Sequence, residues 1–284
     1  MRRVAHLSDV HILDRRAPSR HQGRYRLATR FVSLGRAVDP GLRARRLAGA
    51  LAVARAGGAD HVVISGDLTE VGHDAEFEHF AEVLHAARLA PDTVTLVPGN
   101  HDAYTRPDGW RRALAGPLRA FAGASATEPG KVVDRGTVAL LPVDTTCFQS
   151  ITWSGGVFTR ETAEALDRRL ADPALRDKAL VLVTHHPPFH PHRLPIVRWI
   201  DGLRGAARVL ELLARHPRLQ LLHGHLHRVM DRILASSSDG AHAGRTPTRL
   251  FGASATCDDP DHAPPVRFYD VEGGALAKVC SDAV

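Results

Sequence analysis

Short runs of apolar residues alternate with amphipathic segments along most of this 284-residue chain. Runs of strand length predict buried strands, because a strand covered on both faces carries few polar residues. They lie at residues 4–7, 61–64, 94–97, 138–143, 180–183 and 219–222. Apolar positions three and four residues apart predict amphipathic helices at residues 42–56, 75–89, 160–170 and 203–215. This alternation is typical of an α/β protein.

The pattern changes after His227. A stretch rich in Ser, Gly and Ala at residues 235–244 is followed by strand-like runs at 249–255, 266–271 and 275–279, with no helical pattern between them. We therefore expect antiparallel β-structure in this part of the chain. No repeat or linker interrupts the sequence, which favours a single domain over residues 1–284, with an insertion at about residues 14–46.

Polar residues cluster directly after five of the predicted strands. The clusters are Asp9-Val10-His11, Gly66-Asp67, Gly99-Asn100-His101-Asp102, Thr184-His185-His186 and Gly224-His225-Leu226-His227. Open α/β sheets bind ligands at the carboxyl ends of their strands, so the five clusters are expected to converge on one site. Where the chain leaves a strand still extended, residues two apart point the same way, and the glycines allow sharp turns there.

The side chains in these clusters are typical metal ligands. Asp, Asn and His without Cys suit a borderline divalent ion such as Mn, Fe, Co or Zn. Seven of these side chains are candidate ligands, which is more than one such ion usually takes from a protein. The composition of the clusters therefore favours two ions that share a carboxylate.

Five stretches, HLSDVH, ISGDLTE, VPGNHDAY, VTHHPP and HGHLH, resemble in this order the motifs of the calcineurin-like metallophosphoesterases. The resemblance implies a metallo-dependent phosphatase fold of the α/β class, in which two mixed β-sheets pack as a sandwich flanked by helices. It implies one metal ion on Asp9, His11, Asp67 and His227, and a second on Asp67, Asn100, His185 and His225.

The resemblance also implies a reaction. Two divalent ions lower the pKa of a shared water, and the resulting hydroxide would attack a phosphodiester or phosphoanhydride. His101 is expected to protonate the leaving oxygen or to stabilise phosphoryl charge, and Asp102 to orient His101.

Other polar residues near the motifs have more ordinary interpretations. His186 and His223 are expected as neighbours of the ligands. The remaining candidates are caps or substrate contacts at Asp144, Thr145 and Thr146, and a rim loop with His190, His192 and Arg193.

The positive charge of the chain is concentrated in one segment. The formal net charge is +6, from 37 Lys+Arg and 31 Asp+Glu. Between Arg15 and Arg46 there are ten arginines and one acidic residue, Asp39, interleaved with Tyr25 and Phe31. Three interpretations stay open: a solvated helix face, a patch that attracts an anionic substrate, or a surface for anionic lipid.

These observations lead to one hypothesis and two alternatives. The leading hypothesis is a phosphoesterase acting on a phosphate-containing small molecule of the cyclic-nucleotide type, with no nucleic acid partner. The alternatives are a membrane-surface UDP-2,3-diacylglucosamine pyrophosphatase, and a metal-binding interaction module without catalysis. A cytoplasmic location is favoured by the three separated cysteines, the lack of a secretory signal and the lack of a membrane-length apolar run. Peripheral attachment to the inner membrane face is the alternative location.

Overall fold

The structure is a computed structural model that describes residues 1–15, 31–33, 38–192, 194–234, 248–258 and 266–279. In chain order its strands are β1 (Arg3–Leu7), β2 (His61–Ser65), β3 (Val94–Val97), β4 (Val133–Asp134), β5 (Val138–Pro142), β6 (Gly156–Val157), β7 (Ala179–Val183), β8 (Leu203–Arg204), β9 (Leu219–His223), β10 (Met230–Leu234), β11 (Thr248–Gly252), β12 (Arg267–Glu272) and β13 (Ala275–Lys278). Its α-helices are α1 (Pro40–Ala56), α2 (Asp74–Ala86), α3 (Gly109–Ala115), α4 (Arg160–Leu170), α5 (Pro195–Asp201) and α6 (Ala206–Arg215).

The strands form two large mixed sheets and one small sheet. The first large sheet has the order β13-β12-β1-β2-β3, in which β1, β2 and β3 are parallel. The second has the order β10-β11-β9-β7-β5-β4, in which β5, β7, β9 and β11 are parallel. Strands β6 and β8 form the third sheet. Parallel pairing brings the carboxyl ends of several strands to a shared edge in each large sheet.

Successive side chains along a strand point to opposite faces of the sheet, so the core consists of separate layers. Val63 of β2 and Val181 of β7 belong to one apolar cluster, which lies between the two large sheets. On the outer face of the first sheet, Ile64 packs in a cluster with residues of α1 and α2. On the outer face of the second sheet, Leu182 packs with residues of α4 and α6. The predicted sandwich of two mixed sheets flanked by helices is confirmed.

Two parts of the secondary structure differ from the expectation. The helix predicted from residue 203 begins at Ala206, because Gly205 has a φ of +86°, which a right-handed helix does not accommodate. The C-terminal part is antiparallel at β12 and β13, but β11 pairs in parallel with β9. The prediction of a wholly antiparallel C-terminal part is therefore wrong at β11.

The arginine-rich segment is described only in part, and residues 16–30 and 34–37 lie outside the described residues. Helix α1 belongs to this segment and begins at Pro40, where the Asp39 side chain accepts a hydrogen bond from the Leu42 N–H. Arg43 of α1 is only 1% exposed and donates to the His11 carbonyl at 3.0 Å and to Glu70 Oε2 at 3.2 Å. The expectation that these arginines form a surface patch is therefore wrong for Arg43. In the described ranges, no helix is both long and apolar enough to cross a membrane.

Candidate metal centre

The predicted clusters meet where the two large sheets meet. Asp9 and His11 follow β1, and Asp67 follows β2, in the first sheet. His227, beyond β9 of the second sheet, places its Nε2 3.3 Å from Asp9 Oδ1 and 3.4 Å from His11 Nε2. His185, which follows β7, reaches Asp67 in the same way. The structure thus brings residues from both sheets to one point.

Asp67 lies at the centre of this arrangement. Its Oδ2 is 3.3 Å from His185 Nε2, 3.7 Å from His11 Nε2 and 3.8 Å from His101 Nε2. The Asp67 side chain is buried, and its Oδ1 accepts a hydrogen bond of 2.9 Å from the His101 backbone N–H. One carboxylate therefore faces histidines from three different motifs.

The donor atoms of the described residues fall into three groups. Asp9, His11, Asp67 and His227 each offer a ligand atom within 4.8 Å of one another, and so do His185, His186 and His225 in a second group. The third group, His11, Glu70 and His101, shares His11 with the first. In the second group, the rings of His185 and His225 have centroids 5.2 Å apart. His225 Nε2 lies 2.9 Å from the Asp201 carbonyl oxygen, which leaves Nδ1 as the atom available to a cation.

Asn100 lies in a 3₁₀ turn, Asn100–Ala103, after β3. Its Nδ2 donates to the Tyr104 hydroxyl at 2.8 Å, which fixes the orientation of the amide. Its Oδ1 is buried and accepts no hydrogen bond from the described residues. A buried amide oxygen without a donor is costly unless a cation binds it, so Asn100 fits a metal site.

The backbone at this site is unusual. Non-glycine residues with positive φ in the described residues are Asp9, His11, Asp67, Arg88, His225 and His227, with φ between 49° and 70°. All except Arg88 are predicted metal ligands, and the left-handed conformation costs an L-residue about 1–2 kcal/mol. Hydrogen bonds such as His11 N–H to the Asp67 carbonyl, 2.8 Å, hold this geometry. The prediction of an extended chain is therefore wrong at Asp9 and His11, whose side chains nevertheless converge, and at His225 and His227, whose side chains belong to different groups.

Glycines make room for the ligands. Gly66 has a φ of +106°, and a Cβ at this position would overlap the His185 ring. Gly99 has a φ of −110°, so its backbone is ordinary, but a Cβ there would overlap the Asp67 carboxylate. A Cβ at Gly224 would overlap Ser8 Oγ. The sharp turn expected at these glycines is present at Gly66, whereas at Gly99 and Gly224 the requirement is space.

The protonation of His185 fits a cation site. Its Nδ1 donates to the Ser65 carbonyl at 2.8 Å, so Nε2 is the atom that faces Asp67. Burial lowers the pKa of His185, but the adjacent Asp67 carboxylate outweighs it and raises the pKa to about 9. Burial raises the pKa of Asp67, but His185 and His101 together hold it well below its ordinary value. The Asp67 carboxylate therefore faces His185 Nε2 as a negative charge, which is the charge that a divalent cation requires at this place.

His101 lies at the edge of the cluster and is 8% exposed. Its Nδ1 donates to the Glu70 carbonyl at 2.7 Å, which leaves Nε2 directed to Asp67. The expected orientation of His101 by Asp102 is therefore wrong in the described contacts, because the Glu70 carbonyl holds the ring.

Asp102 instead joins two of the motifs. Its carboxylate accepts hydrogen bonds from the backbone N–H groups of Leu68, Thr69 and Gly99, at 3.1, 2.9 and 2.8 Å. Burial and the nearby Asp67 raise the pKa of Asp102 to about 7, against the effect of these hydrogen bonds. Four donors, including the Thr69 hydroxyl at 2.6 Å, favour the ionised form.

Two further histidines lie beside the ligands, and of these only His186 has both ring nitrogens hydrogen-bonded, since His223 Nε2 is buried without a partner in the described residues. His186 Nδ1 bonds the Thr145 hydroxyl at 2.8 Å, and its Nε2 bonds the Ser154 carbonyl at 3.0 Å. With both ring nitrogens engaged, His186 is better described as a neighbour of the site than as a ligand. His223 is buried, and burial lowers its pKa to about 4.

Sequence reasoning missed several acidic residues that hold the predicted ligands. Glu70 Oε2 is 3.5 Å from His11 Nδ1, Asp258 Oδ2 is 3.4 Å from His227 Nδ1, and Asp201 Oδ1 is 3.1 Å from His225 Nε2. Glu70 stands three residues after Asp67 in ISGDLTE and could have been suspected there. Asp201 lies in no motif.

Comparison with known proteins places the chain in a family. A model of the calcineurin-like phosphoesterase family matches residues 2–229. The 3',5'-cyclic adenosine monophosphate phosphodiesterase CpdA of Escherichia coli K12 is 32% identical over 189 residues, covering 63% of this chain and 60% of that protein. A probable cyclic nucleotide phosphodiesterase of Rhodopseudomonas palustris is 30% identical over 208 residues, covering 70% of this chain and 69% of that protein. The chain thus spans less than two thirds of the length of the Escherichia coli protein.

A solved structure shares the fold. A dimetal phosphatase from Danio rerio superposes with a TM-score of 0.64 at 15% identity, and the match covers 95% of this chain and 92% of that chain. The two sheets and the cluster of Asp, Asn and His side chains at their ends define a metallo-dependent phosphatase fold. The chain belongs to the calcineurin-like phosphoesterase family, and the resemblance seen in its five motifs is confirmed.

Proposed function

We propose that this protein is a dinuclear-metal phosphodiesterase that hydrolyses a nucleotide-type small molecule. The observation that carries the proposal is the position of Asp67, whose Oδ2 lies 3.3 Å from His185 on one side and 3.7 Å from His11 on the other. A single carboxylate between two groups of nitrogen and oxygen donors is the arrangement that two divalent ions require.

The residues fit such a pair of ions. Asp9, His11, Asp67 and His227 would hold one ion, and Asp67, Asn100, His185 and His225 the other. The fit rests on the buried, unbonded oxygen of Asn100 and on the fixed tautomer of His185. When bound, the two ions would supply a water of lowered pKa and positive charge for the phosphoryl oxygens.

The chain's own groups supply orientation and a proton. The Glu70 carbonyl fixes the tautomer of His101, whose Nε2 then carries the proton when the ring is cationic. Of the three histidines that face Asp67, His101 is 8% exposed whereas His11 and His185 are fully buried, so His101 is placed to give that proton to the leaving oxygen. Asp102 maintains the distance between the Asp67 and Asn100 segments through its backbone hydrogen bonds.

The substrate class rests on the relatives. Two of them are named as phosphodiesterases of cyclic nucleotides, and each aligns with more than half of this chain. The membrane-surface alternative depended on the arginine-rich segment, most of whose arginines lie outside the described residues, and Arg43, which is described, is buried against Glu70. We therefore favour a cyclic nucleotide over a lipid-linked pyrophosphate.

A substrate panel on Mn-reconstituted protein tests this function. We expect hydrolysis of bis-p-nitrophenyl phosphate and of 3',5'-cyclic AMP, and none of UDP-2,3-diacylglucosamine. Protein that binds Mn fully and hydrolyses none of these compounds would support the interaction module instead.

A further inference from the structure

A cavity of about 260 Å³ lies beside the metal centre, between helix α5 and the loop that follows His186. Aromatic and cationic side chains line it, namely Trp199, Phe189, Arg198 and Arg204. Pro187, Pro188 and Pro195 are also part of the lining, and proline limits the backbone motion of a loop. A stiff, mostly apolar cavity with a few polar groups is the usual form of a small-molecule site.

Hydrogen bonds connect this cavity to the predicted ligand His225. His190 lines the cavity, and its Nε2 is 2.7 Å from Asp201 Oδ2. The other oxygen of Asp201 is 3.1 Å from His225 Nε2. The cavity is thus separated from the second group of metal ligands by one carboxylate.

The aromatic wall makes a second connection. The Trp199 ring contacts Trp153 with centroids 4.4 Å apart at 64°. The Trp153 carbonyl accepts a hydrogen bond of 2.9 Å from the Tyr104 hydroxyl, which in turn accepts one of 2.8 Å from Asn100. Two independent chains of contacts therefore connect the cavity to His225 and to Asn100, which are both predicted ligands of the second ion.

The Trp199 side chain is exposed, so it is available to bind a ligand and does not belong to the core. Helix α5 has no buried residue, and Trp199 is 52% exposed although Trp153 holds its ring. A nucleobase stacks on an indole ring, and the planar guanidinium groups of Arg198 and Arg204 offer donors for the ring nitrogens of a base.

We propose that this cavity binds the base of the nucleotide substrate, with Trp199 as its stacking platform. The inference rests on the proposed function, because the base belongs to the substrate proposed there, but binding of the base does not require hydrolysis. Contacts to a part of the substrate that does not react position the phosphoryl group at the metal centre.

The test compares two substrates that differ only in the base. Wild type and Trp199→Ala are assayed with 3',5'-cyclic AMP and with 1-deoxyribose 3,5-cyclic phosphate, which has no base. Because loss of a stacking partner lowers base affinity, we expect KM for cyclic AMP to rise about tenfold in Trp199→Ala. The base-free substrate should be unaffected, Trp199→Phe should restore most of the affinity, and the matched exposed variant Ile233→Ala should change neither substrate. Equal changes for both substrates, or none, would overturn the proposal.

A binding measurement separates this proposal from the proposed function. Calorimetry of metal-free protein with adenosine should show binding that Trp199→Ala removes and Ile233→Ala retains. Adenosine binding of equal strength in wild type and Trp199→Ala would overturn the cavity assignment even if cyclic AMP is hydrolysed. If Trp199→Ala instead abolishes self-association or liposome binding and leaves adenosine affinity unchanged, the surface serves another partner and the proposal is wrong.

Discussion

At the scale of single residues, Asp67 and His101 have separable tasks. Asp67 lies between the two groups of ligands, whereas the His101 side chain contacts it only from the edge, at 3.8 Å, and the 2.9 Å hydrogen bond to Asp67 comes from the His101 backbone. We expect Asp67→Ala to lose both bound metal and turnover, and His101→Ala to keep its metal while losing about 10²–10⁴-fold in kcat, the range for a general acid. Metal analysis and steady-state kinetics of the two variants check this. Equal loss of metal in both would contradict the assigned roles.

Gly99 gives a second prediction at this scale. A Cβ at Gly99 would overlap the Asp67 carboxylate, whereas one at Gly49, on α1, meets nothing within 4 Å. Gly99→Ala should therefore lower the Mn content sharply because it displaces Asp67. Gly49→Ala should leave the Mn content unchanged and raise the stability of the helix slightly. Normal Mn binding by Gly99→Ala would show that the Asp67 position is not required.

The element scale shows what the sequence could predict. Strand β3 was predicted with its observed bounds, and β2 to within one residue, because each is an apolar run that ends at a polar motif. Strand β10 was not predicted, since most of its residues are exposed and no apolar face marks it. The start of α6 was misplaced by three residues, because the left-handed conformation of Gly205 depends on its contacts rather than on a local pattern.

The site also has parts that a local sequence pattern marks and parts that depend on contacts in the folded chain. Candidate ligands could be found because each directly follows a strand, and topology alone brings strand ends together. Of the supporting acids, Glu70 stands within the ISGDLTE motif, but Asp201 could not be found, because helix α5 carries it to His225 from outside every motif. The left-handed backbone of the ligand residues was also beyond the sequence, since it is held by hydrogen bonds between β1 and β2 segments.

Helix α5 leads to a prediction at the element scale. Its last residue, Asp201, accepts from His225 through both its side chain and its backbone carbonyl, at 3.1 and 2.9 Å. Asp201→Asn should weaken binding of one of two Mn ions by about tenfold, the lower end for loss of a carboxylate behind a metal-binding histidine. Stepwise Mn titration measures this.

Asp167→Asn is the matched control, because Asp167 pairs with His216 at 2.7 Å away from the site. It should bind both ions as wild type does. If Asp201→Asn weakens both ions equally, or neither, then Asp201 does not position His225.

At the scale of the whole molecule, buried histidines make stability depend on pH. His61 is buried at the start of β2 and bonds Thr95 at 2.9 Å. Burial, with a smaller contribution from Arg135, lowers the pKa of His61 to about 3. Between an unfolded pKa of about 6.5 and this value only the unfolded chain binds the proton, so stability is lost as pH falls through that range.

His61→Gln should therefore reduce the slope of the free energy of unfolding against pH by the contribution of one proton, which is about 1.4 kcal/mol per pH unit. Denaturant unfolding of EDTA-treated protein between pH 4 and 6.5 checks it, because removal of metal excludes acid-induced metal release. The exposed variant His85→Gln should keep the wild-type slope. A His61→Gln slope equal to that of wild type would show that His61 is protonated in the folded state.

The two large sheets each contribute part of the site, and Asp67 is where the parts meet. Anomalous diffraction from crystals of the Mn-loaded protein tests this most directly. We predict two Mn peaks about 3.5–4 Å apart, one on each side of the Asp67 carboxylate, with Asn100 and His185 beside one and His11 beside the other. A single Mn peak, or two peaks that do not share Asp67, would contradict the dinuclear centre.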